Sequence, residues 1–141
     1  MSCLHRVELF STLVPRDLQR LEPMLHERRY SADEVVFEKG EEGLGMYVIV
    51  SGKVRIADTG QNGTEKVLAE LEAGQFFGEL ALLDGATRTA TARAIEPCRL
   101  IGFFRTEFLD ILETHGRVGT KISLQLSRLT GARLMKSLEG E

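Results

Sequence analysis

Hydrophobic residues near the N-terminus recur at steps of three and four, the spacing that places side chains on one face of an α-helix. Pro15 lies within this stretch and suits the first turn of a helix, where the missing N–H of proline costs no hydrogen bond. We therefore predict a helical cap over about residues 5–28. Its apolar face is formed by Leu9, Phe10, Leu13, Leu18, Leu21, Met24 and Leu25.

After residue 34 the pattern changes to short runs of β-branched and aromatic residues that glycines separate. Runs of this kind predict β-strands, because such side chains fit a half-buried pleated surface. Short strands at roughly even spacing indicate a small barrel or a jelly roll. We expect strands at about residues 35–37, 46–50, 54–56, 67–69, 90–93 and 100–103.

Two glycine-containing turns lie between these runs. Ser51 and Gly52 leave a gap that suits a hairpin, and Asn62-Gly63 is a strong hairpin signal because both residues tolerate a positive φ. We therefore expect the strands on either side of each turn to pair with each other.

The helical pattern returns after Phe103. Thr106 suits the N-cap of a helix that ends near Gly116. A longer helix follows over about residues 118–138, and its two apolar stripes predict two packing partners. The first stripe contains Val118, Ile122, Leu126 and Leu129, and the second contains Leu124, Leu134 and Leu138.

The length of 141 residues suits one domain with its own hydrophobic core. Hydrophobic residues make up 43% of the chain and charged residues 28%, which is the composition of a folded protein. We therefore predict a single α+β domain, mainly β, over residues 1–141. It consists of the helical cap, a β-roll over about residues 34–103, and closing helices over about residues 105–138.

The charge balance argues against adhesion to nucleic acid or to anionic lipid. Eighteen Lys and Arg residues against 21 Asp and Glu residues give a net charge of −3, and no sustained basic run occurs. No stretch is apolar enough to cross a membrane, and the N-terminus lacks a signal core. We expect a cytoplasmic protein without a direct nucleic-acid or membrane partner.

The sequence offers no pattern of metal binding or catalysis. Cys3 and Cys98 form no Cys-x-x-Cys pair, which argues against a zinc site and for reduced thiols, and the three histidines are dispersed. Gly40, Gly43 and Gly45 have the wrong spacing for a dinucleotide fingerprint, and the common nucleophile motifs do not occur. We expect no metal, no cofactor and no catalytic residue.

The most informative segment interrupts the strands at residues 76–91. It contains about one turn of helix-forming residues that starts at Glu79, after Gly78. A helix start presents free N–H groups to an anion, and a glycine beside it lets a ligand approach closely. Arg88 adds a planar cation with five donors, while the Glu79 carboxylate suits ribose hydroxyl groups. This combination predicts a site for a nucleotide.

A purely structural role also fits these residues. Gly78 suits a hinge between strand and helix, Glu79 complements the helix dipole, and Arg88 suits a surface ion pair. The spacing by itself leaves both interpretations open.

Several motifs, in order, resemble the cyclic nucleotide-binding domain family, the type found in catabolite activator protein and in the regulatory subunits of cyclic-AMP-dependent kinase. The resemblance covers the chain nearly end to end. It implies an eight-stranded jelly-roll β-roll with an N-terminal helix, a short phosphate-cassette helix and two C-terminal helices. It is carried by Phe77-Gly78-Glu79-Leu80-Ala81-Leu82-Leu83, Arg88-Thr89-Ala90-Thr91, Phe37-x-x-Gly40-x-x-Gly43 and the run from Met46 to Val54.

The resemblance implies a role for each cassette position. Glu79 is implied to bind the ribose 2′-hydroxyl and Arg88 the cyclic phosphate. Thr89 stands where the family uses a hydroxyl beside the phosphate and the guanine amino group, so cyclic GMP is expected to be tolerated. Arg133 is a candidate lid over the base. Backbone contacts are implied for Gly78, Leu80 and Ala81.

One position departs from the family, because Thr87 stands where proline usually precedes the arginine. Without the fixed φ of proline, we expect a more mobile loop before binding and a weaker affinity, with no contact removed.

The expected function is that of a regulatory sensor that binds a cyclic mononucleotide, with cAMP favoured and cGMP possible, and moves its C-terminal helices in response. A protein partner or a second copy of the chain is expected on the last helix. Two alternatives stay open. The chain is a sensor fragment of a longer transcription regulator, channel or other regulated protein, or its pocket has drifted to another ligand.

Overall fold

Within residues 4–139, the part of the chain that the computed structural model describes, eight antiparallel strands form two four-stranded sheets. The first sheet has the strand order β1-β8-β3-β6 and the second the order β2-β7-β4-β5. The predicted jelly-roll class is therefore confirmed. The strands are β1 (His26–Tyr30), β2 (Val35–Phe37), β3 (Gly45–Ser51), β4 (Lys53–Thr59), β5 (Glu65–Glu72), β6 (Phe76–Phe77), β7 (Thr91–Ala94) and β8 (Cys98–Phe104).

Four α-helices and three short 3-10 turns complete the described fold. None of these helices is long and apolar enough to cross a membrane. The helices are α1 (Pro15–Leu21), α2 (Glu79–Asp84), α3 (Arg105–Thr114) and α4 (Gly116–Glu139), and the 3-10 turns are Leu4–Arg6, Glu8–Phe10 and Glu22–Met24.

The prediction of one helix over residues 5–28 is wrong at both ends, because two 3-10 turns precede α1 and a strand follows it. Pro15 starts α1, as expected, but Pro23 lies in a 3-10 turn that follows Leu21, where a proline has no N–H to continue the α-helical ladder. Residues His26–Tyr30 form strand β1 and pair with β8. The sequence does not reveal this strand, because its charged side chains are largely exposed and its pairing partner lies far along the chain.

Of the two hairpins predicted at glycine turns, one is confirmed and one is wrong. Strands β4 and β5 pair from Lys53 opposite Glu72 to Thr59 opposite Glu65, so the hairpin at Asn62-Gly63 is confirmed. The hairpin at Ser51-Gly52 is wrong, because β3 and β4 belong to different sheets.

Gly52 is the point where the chain passes from one sheet to the other. It has a φ of +98°, and a Cβ atom there would lie 2.5 Å from the carbonyl oxygen of Pro97 and 2.6 Å from Sγ of Cys98. Only glycine fits this crossing. Cys98 is a buried free thiol, and Cys3 lies outside the described residues.

Two hydrophobic clusters divide the interior. One lies between the two sheets and includes Phe37, Ile49, Val54, Phe77 and Leu100. The other packs the helices against the first sheet. Its buried members include Leu4, Phe10, Leu21, Met46, Phe76, Phe103, Ile111, Val118, Ile122 and Leu126.

The closing helices agree with the predicted pattern in most respects. Helix α3 starts at Arg105 with Phe104 at the N-cap, so the prediction of Thr106 as the N-cap is wrong and Thr106 lies in the first turn. The first stripe of α4 is buried or partly buried in the helical cluster. The second stripe is exposed, by 53% at Leu124, 60% at Leu134 and 55% at Leu138.

A partly buried ion pair connects the first half of α4 with the N-terminal helical region. The Asp17 side chain is buried, and its Oδ2 accepts hydrogen bonds from Nζ of Lys121 at 2.8 Å and from the backbone N–H of Val14 at 3.3 Å. The Lys121 ammonium lowers the pKa of the Asp17 carboxyl more than burial raises it. One turn further along α4, Gln125 donates to the carbonyl of Glu8 at 3.1 Å.

We predict that Lys121→Met lowers the free energy of unfolding by about 1–3 kcal/mol at pH 7, because a buried carboxylate then lacks its cation. The pKa of Asp17 is depressed in the folded state, so the pair stabilises the fold above the ordinary carboxyl pKa of 3.8 and loses this effect as the pH falls through the lower folded value. Urea unfolding from pH 7 to pH 3 measures both effects.

The matched control is Lys136→Met, which removes an exposed lysine from the same helix. Equal stabilities of the two variants at pH 7 contradict this prediction.

Candidate functional site

A cavity of about 300 Å³ opens beside α2, within the size range of small-molecule sites. It lies where β6, α2 and the segment after α2 approach the second sheet. One wall is polar and the other is apolar. The polar wall contains Gly78, Glu79, Thr87, Arg88, Thr89 and Arg133, and the apolar wall contains Phe37, Ile56, Ala69, Leu71, Phe77, Leu80, Ala81, Ala86 and Ala90.

Two glycines delimit the helix at this cavity. Gly78 precedes α2 with a φ of +78°, and Gly85 follows it with a φ of +72°, conformations that favour glycine. A Cβ atom at Gly78 would lie 2.6 Å from Nη1 of Arg88. The missing side chain therefore makes room for the guanidinium, in addition to permitting the turn. The predicted short helix closed by a glycine is confirmed.

Arg88 is the central polar group of the cavity. Its side chain is only 8% exposed, and its guanidinium carbon lies 3.9 Å from the ring centre of Phe37. Nη2 donates to the carbonyl of Gly45 at 2.6 Å, and Nη1 donates to the carbonyl of Gly78 at 3.2 Å. Burial lowers the pKa of Arg88 from its usual value, yet an arginine stays charged at neutral pH.

No carboxylate among the described residues lies within ion-pair distance of Arg88, although the charge of Glu41 partly opposes the lowering of its pKa. Within residues 4–139 the guanidinium has no ion-pair partner, and its buried Nε–H has no hydrogen-bond acceptor. A buried cation of this kind is costly unless an anion compensates it. The arrangement therefore favours an anionic ligand over the surface ion pair that the sequence left as an alternative.

The loop between β2 and β3 holds the backbone of Arg88 in place. The N–H of Gly40 donates to the Arg88 carbonyl at 2.9 Å, and the N–H of Arg88 donates to the Glu41 carbonyl at 2.8 Å. Gly43 packs so closely that a Cβ atom there would lie 2.2 Å from the carbonyl oxygen of Ala86. The resemblance implied only family turns at Gly40 and Gly43, and their supporting role was not predicted, although their close spacing was a signal.

Glu79 and Arg133 connect the cavity with α4. An oxygen of Glu79 lies 3.8 Å from Nη1 of Arg133, and the Glu79 side chain is 16% exposed. Arg133 also donates from Nη2 to the carbonyl of Phe76 at 2.7 Å, and its guanidinium carbon lies 4.1 Å from the Phe76 ring centre. The C-terminal part of α4 thus reaches the cavity through one side chain.

The structure brings all the predicted site residues to one cavity, and their roles toward a ligand stay predictions. Arg88 is buried, whereas Leu80 and Thr89 are exposed at the cavity surface. The apolar wall was not predicted from the sequence as part of the site. Its strand residues Ile56, Ala69 and Leu71 are ordinary sheet positions, and only the folding of the second sheet turns them toward the cavity.

The described residues include no cluster of three or more His, Cys, Asp and Glu side chains arranged to hold a metal ion. Among the charged side chains that line the cavity are two guanidinium groups, of Arg88 and Arg133, and one carboxylate, of Glu79. The wall therefore carries an excess of positive charge.

The chain is similar to several known proteins. The family model of the cyclic nucleotide-binding domain matches residues 27–115. A curated relative, the cyclic AMP receptor protein of Thermus thermophilus, is 33% identical over 120 residues, which is 85% of this chain and 56% of that protein. The chain thus spans about half the length of this relative.

Two solved structures extend the comparison. The N-terminal domain of a transcriptional regulator from Streptomyces coelicolor A3(2) is 28% identical with a TM-score of 0.80, over 97% of this chain and 93% of that chain. The regulatory domain of Toxoplasma gondii PKA, solved with cAMP, is 30% identical with a TM-score of 0.68, over 78% of this chain and 42% of that chain.

We predict that Gly43→Ala destabilises the protein by about 1–3 kcal/mol, because the new methyl group overlaps the Ala86 carbonyl and the Ala81 side chain. The loop after α2 must shift, and the cavity changes shape with it. Thermal and urea unfolding measure the loss.

The control is the same substitution at Gly131, where a Cβ atom meets nothing within 4 Å. Gly131→Ala lies inside α4 and is expected to stabilise the helix by about 0.8–1 kcal/mol. A stable Gly43→Ala variant with unchanged unfolding contradicts the assignment of this loop as a tight support.

Proposed function

The chain belongs to the cyclic nucleotide-binding domain family, and we propose that it is a regulatory sensor for cAMP, which binds in the cavity beside α2. The observation that carries the proposal is the buried guanidinium of Arg88, which lies in the cavity wall without a carboxylate partner. A cyclic phosphodiester supplies one negative charge and acceptor oxygens, which match the free donors of this guanidinium.

The remaining walls suit the other parts of a cyclic nucleotide. The Glu79 carboxylate accepts hydrogen bonds only, so it suits ribose hydroxyl groups. The apolar wall, which includes Phe37 and Phe77, suits the faces of a base. The cavity thus supports recognition through phosphate and ribose, with few contacts to base edges. Backbone contacts to the phosphate belong in this proposal to Gly78, Leu80 and Ala81.

The choice of cAMP draws support from the comparisons. The relative from Thermus thermophilus is named a cyclic AMP receptor protein, and the Toxoplasma gondii domain was solved with cAMP. Thr87 stands where the family usually has proline, and it is exposed at the cavity. We expect the ordering of this loop to reduce affinity, because the free state has more conformations to lose.

The output of the sensor is proposed to pass through the closing helices. Helix α4 contacts the cavity at Arg133 and also exposes Leu124, Leu134 and Leu138. An exposed apolar stripe on a helix suits a protein partner or a second copy of the chain. A ligand moves this helix only if it binds the protein more tightly in one helix position than in the other, and the difference in affinity limits the shift. We propose a regulatory role without catalytic residues.

We predict that Arg88→Ala weakens cAMP binding by about 2–5 kcal/mol, or about 30- to 5,000-fold, because the phosphate loses its charged partner in a sheltered site. Calorimetry on folded protein measures the change. Arg88→Lys keeps the charge but loses the planar fork, so it is expected to bind with intermediate affinity.

The matched control is Arg93→Ala, since Arg93 lies on the neighbouring strand and donates to the Asp33 carbonyl outside the cavity. Thermal unfolding of each variant without ligand shows whether a weaker affinity reflects a lost contact with cAMP or a loss of folding. Unchanged cAMP affinity in folded Arg88→Ala protein excludes the proposed site.

We predict that Thr89→Ala lowers the affinity for cGMP relative to cAMP by about 2- to 10-fold, because the family uses this hydroxyl beside the guanine amino group. Thr89 is exposed at the cavity edge, so the substitution leaves the core intact. Competition titrations with both nucleotides on both proteins give the ratio. An equal ratio in wild type and variant argues against a role of this hydroxyl in the choice of base.

A further inference from the structure

Helix α4 is held in two different ways along its length. Its first half is buried through Val118, Ile122 and Leu126 and is fastened by the Lys121–Asp17 ion pair. After residue 130 the described side chains are mostly exposed. Of these, Arg133 makes the polar contacts with the roll, to Glu79 and to Phe76. The last turns therefore depend on this one arginine for polar attachment to the cavity.

The guanidinium of Arg133 is positioned by Phe76 rather than by Glu79. The hydrogen bond to the Phe76 carbonyl measures 2.7 Å, and the guanidinium stacks on the Phe76 ring, which is fully buried. The distance to Glu79, 3.8 Å, is that of an ion pair and is too long for a hydrogen bond. The Glu79 oxygens thus keep their acceptor capacity while a cation lies beside them.

The negative charge of Glu79 disfavours an anionic ligand, and the guanidinium of Arg133 beside it compensates this charge. A carboxylate that binds ribose lies within one nucleotide of the phosphate, and it repels the phosphate charge. Arg133 offsets that charge from the side of α4 and leaves the carboxylate oxygens free for hydroxyl groups. It does so in a partly buried position, where screening by salt is weaker than at an open surface.

We propose that Arg133 is a positioning residue that acts through Glu79: it compensates and orients the carboxylate so that the cavity accepts an anionic, ribose-containing ligand. This inference rests on the proposed function, since it assigns Glu79 to a ribose. This role differs from that of the lid predicted from the sequence, because a lid contacts the ligand directly. It also links ligand binding with the last turns of α4, because coupling between two sites is reciprocal.

A double-mutant cycle distinguishes the two roles, with cAMP as the probe and displacement of a fluorescent cyclic nucleotide as the measurement. The proteins are wild type, Arg133→Gln, Glu79→Gln and the double variant. Arg133→Gln is expected to weaken cAMP binding by about 3- to 10-fold when Glu79 is present. With Glu79→Gln as the background, the same substitution is expected to change the affinity by less than about 2-fold, because no carboxylate charge needs compensation.

Two further variants serve as controls. Arg133→Lys keeps the charge and is expected to recover most of the affinity. Arg128→Gln removes an exposed arginine from the same helix and is expected to bind like wild type. Hydrogen exchange of residues 131–138 in ligand-free protein supplies an independent readout. It is expected to be faster in Arg133→Gln than in Arg128→Gln, because the tether of the last turns is lost.

Each result of the double-mutant cycle leads to one conclusion. An equal loss of affinity in both Glu79 backgrounds means that Arg133 touches the ligand directly, and it overturns the positioning role. No loss in either background, with wild-type cAMP binding intact, also overturns it. If wild type binds no cyclic nucleotide at all, the proposed function fails, and the inference fails with it.

Discussion

A buried guanidinium without a carboxylate partner is the constraint on which the site depends. The guanidinium of Arg88 donates to the carbonyl groups of Gly45 and Gly78, and the missing side chain of Gly78 makes room for it. Its backbone is fixed from the other side by the loop that contains Gly40 and Glu41. These contacts leave donor capacity and a net positive charge at the cavity wall, which is the physical basis of the proposal that a phosphate binds there.

Two separate hydrophobic clusters form the scaffold around the Arg88 guanidinium. One cluster lies between the sheets and includes Phe37, the ring under Arg88. The other holds the helices against the first sheet. Because Gly52 sends the chain from one sheet to the other, β3 contributes to the first sheet and β4 to the second. The cavity can therefore draw polar groups from one side and apolar residues from the other.

Helix α4 joins the cavity to the rest of the molecule. Its first half is an extension of the helical cluster, held by the Asp17 ion pair and by buried aliphatic residues. Its last turns touch the cavity at Arg133 and expose an apolar stripe to solvent. The same element thus contacts the site and exposes an apolar surface, and the proposed sensor output rests on this arrangement.

The sequence by itself determined the features that depend on local residues. The short helix between Gly78 and Gly85, the hairpin at Asn62-Gly63 and the stripes of α4 follow from backbone freedom and periodicity, so they were predictable. The cassette motif also predicted, through resemblance to a family, that Glu79 and Arg88 belong to one site.

Only the tertiary structure decided the rest, because it depends on partners far along the chain. Strand β1 exists through pairing with β8, and the Ser51-Gly52 turn joins two sheets instead of forming a hairpin. The carbonyl of Gly45 reaches Arg88 across 43 residues of sequence, and Arg133 reaches Phe76 across 57. No local pattern encodes such contacts, since their geometry is set by the packing of whole elements.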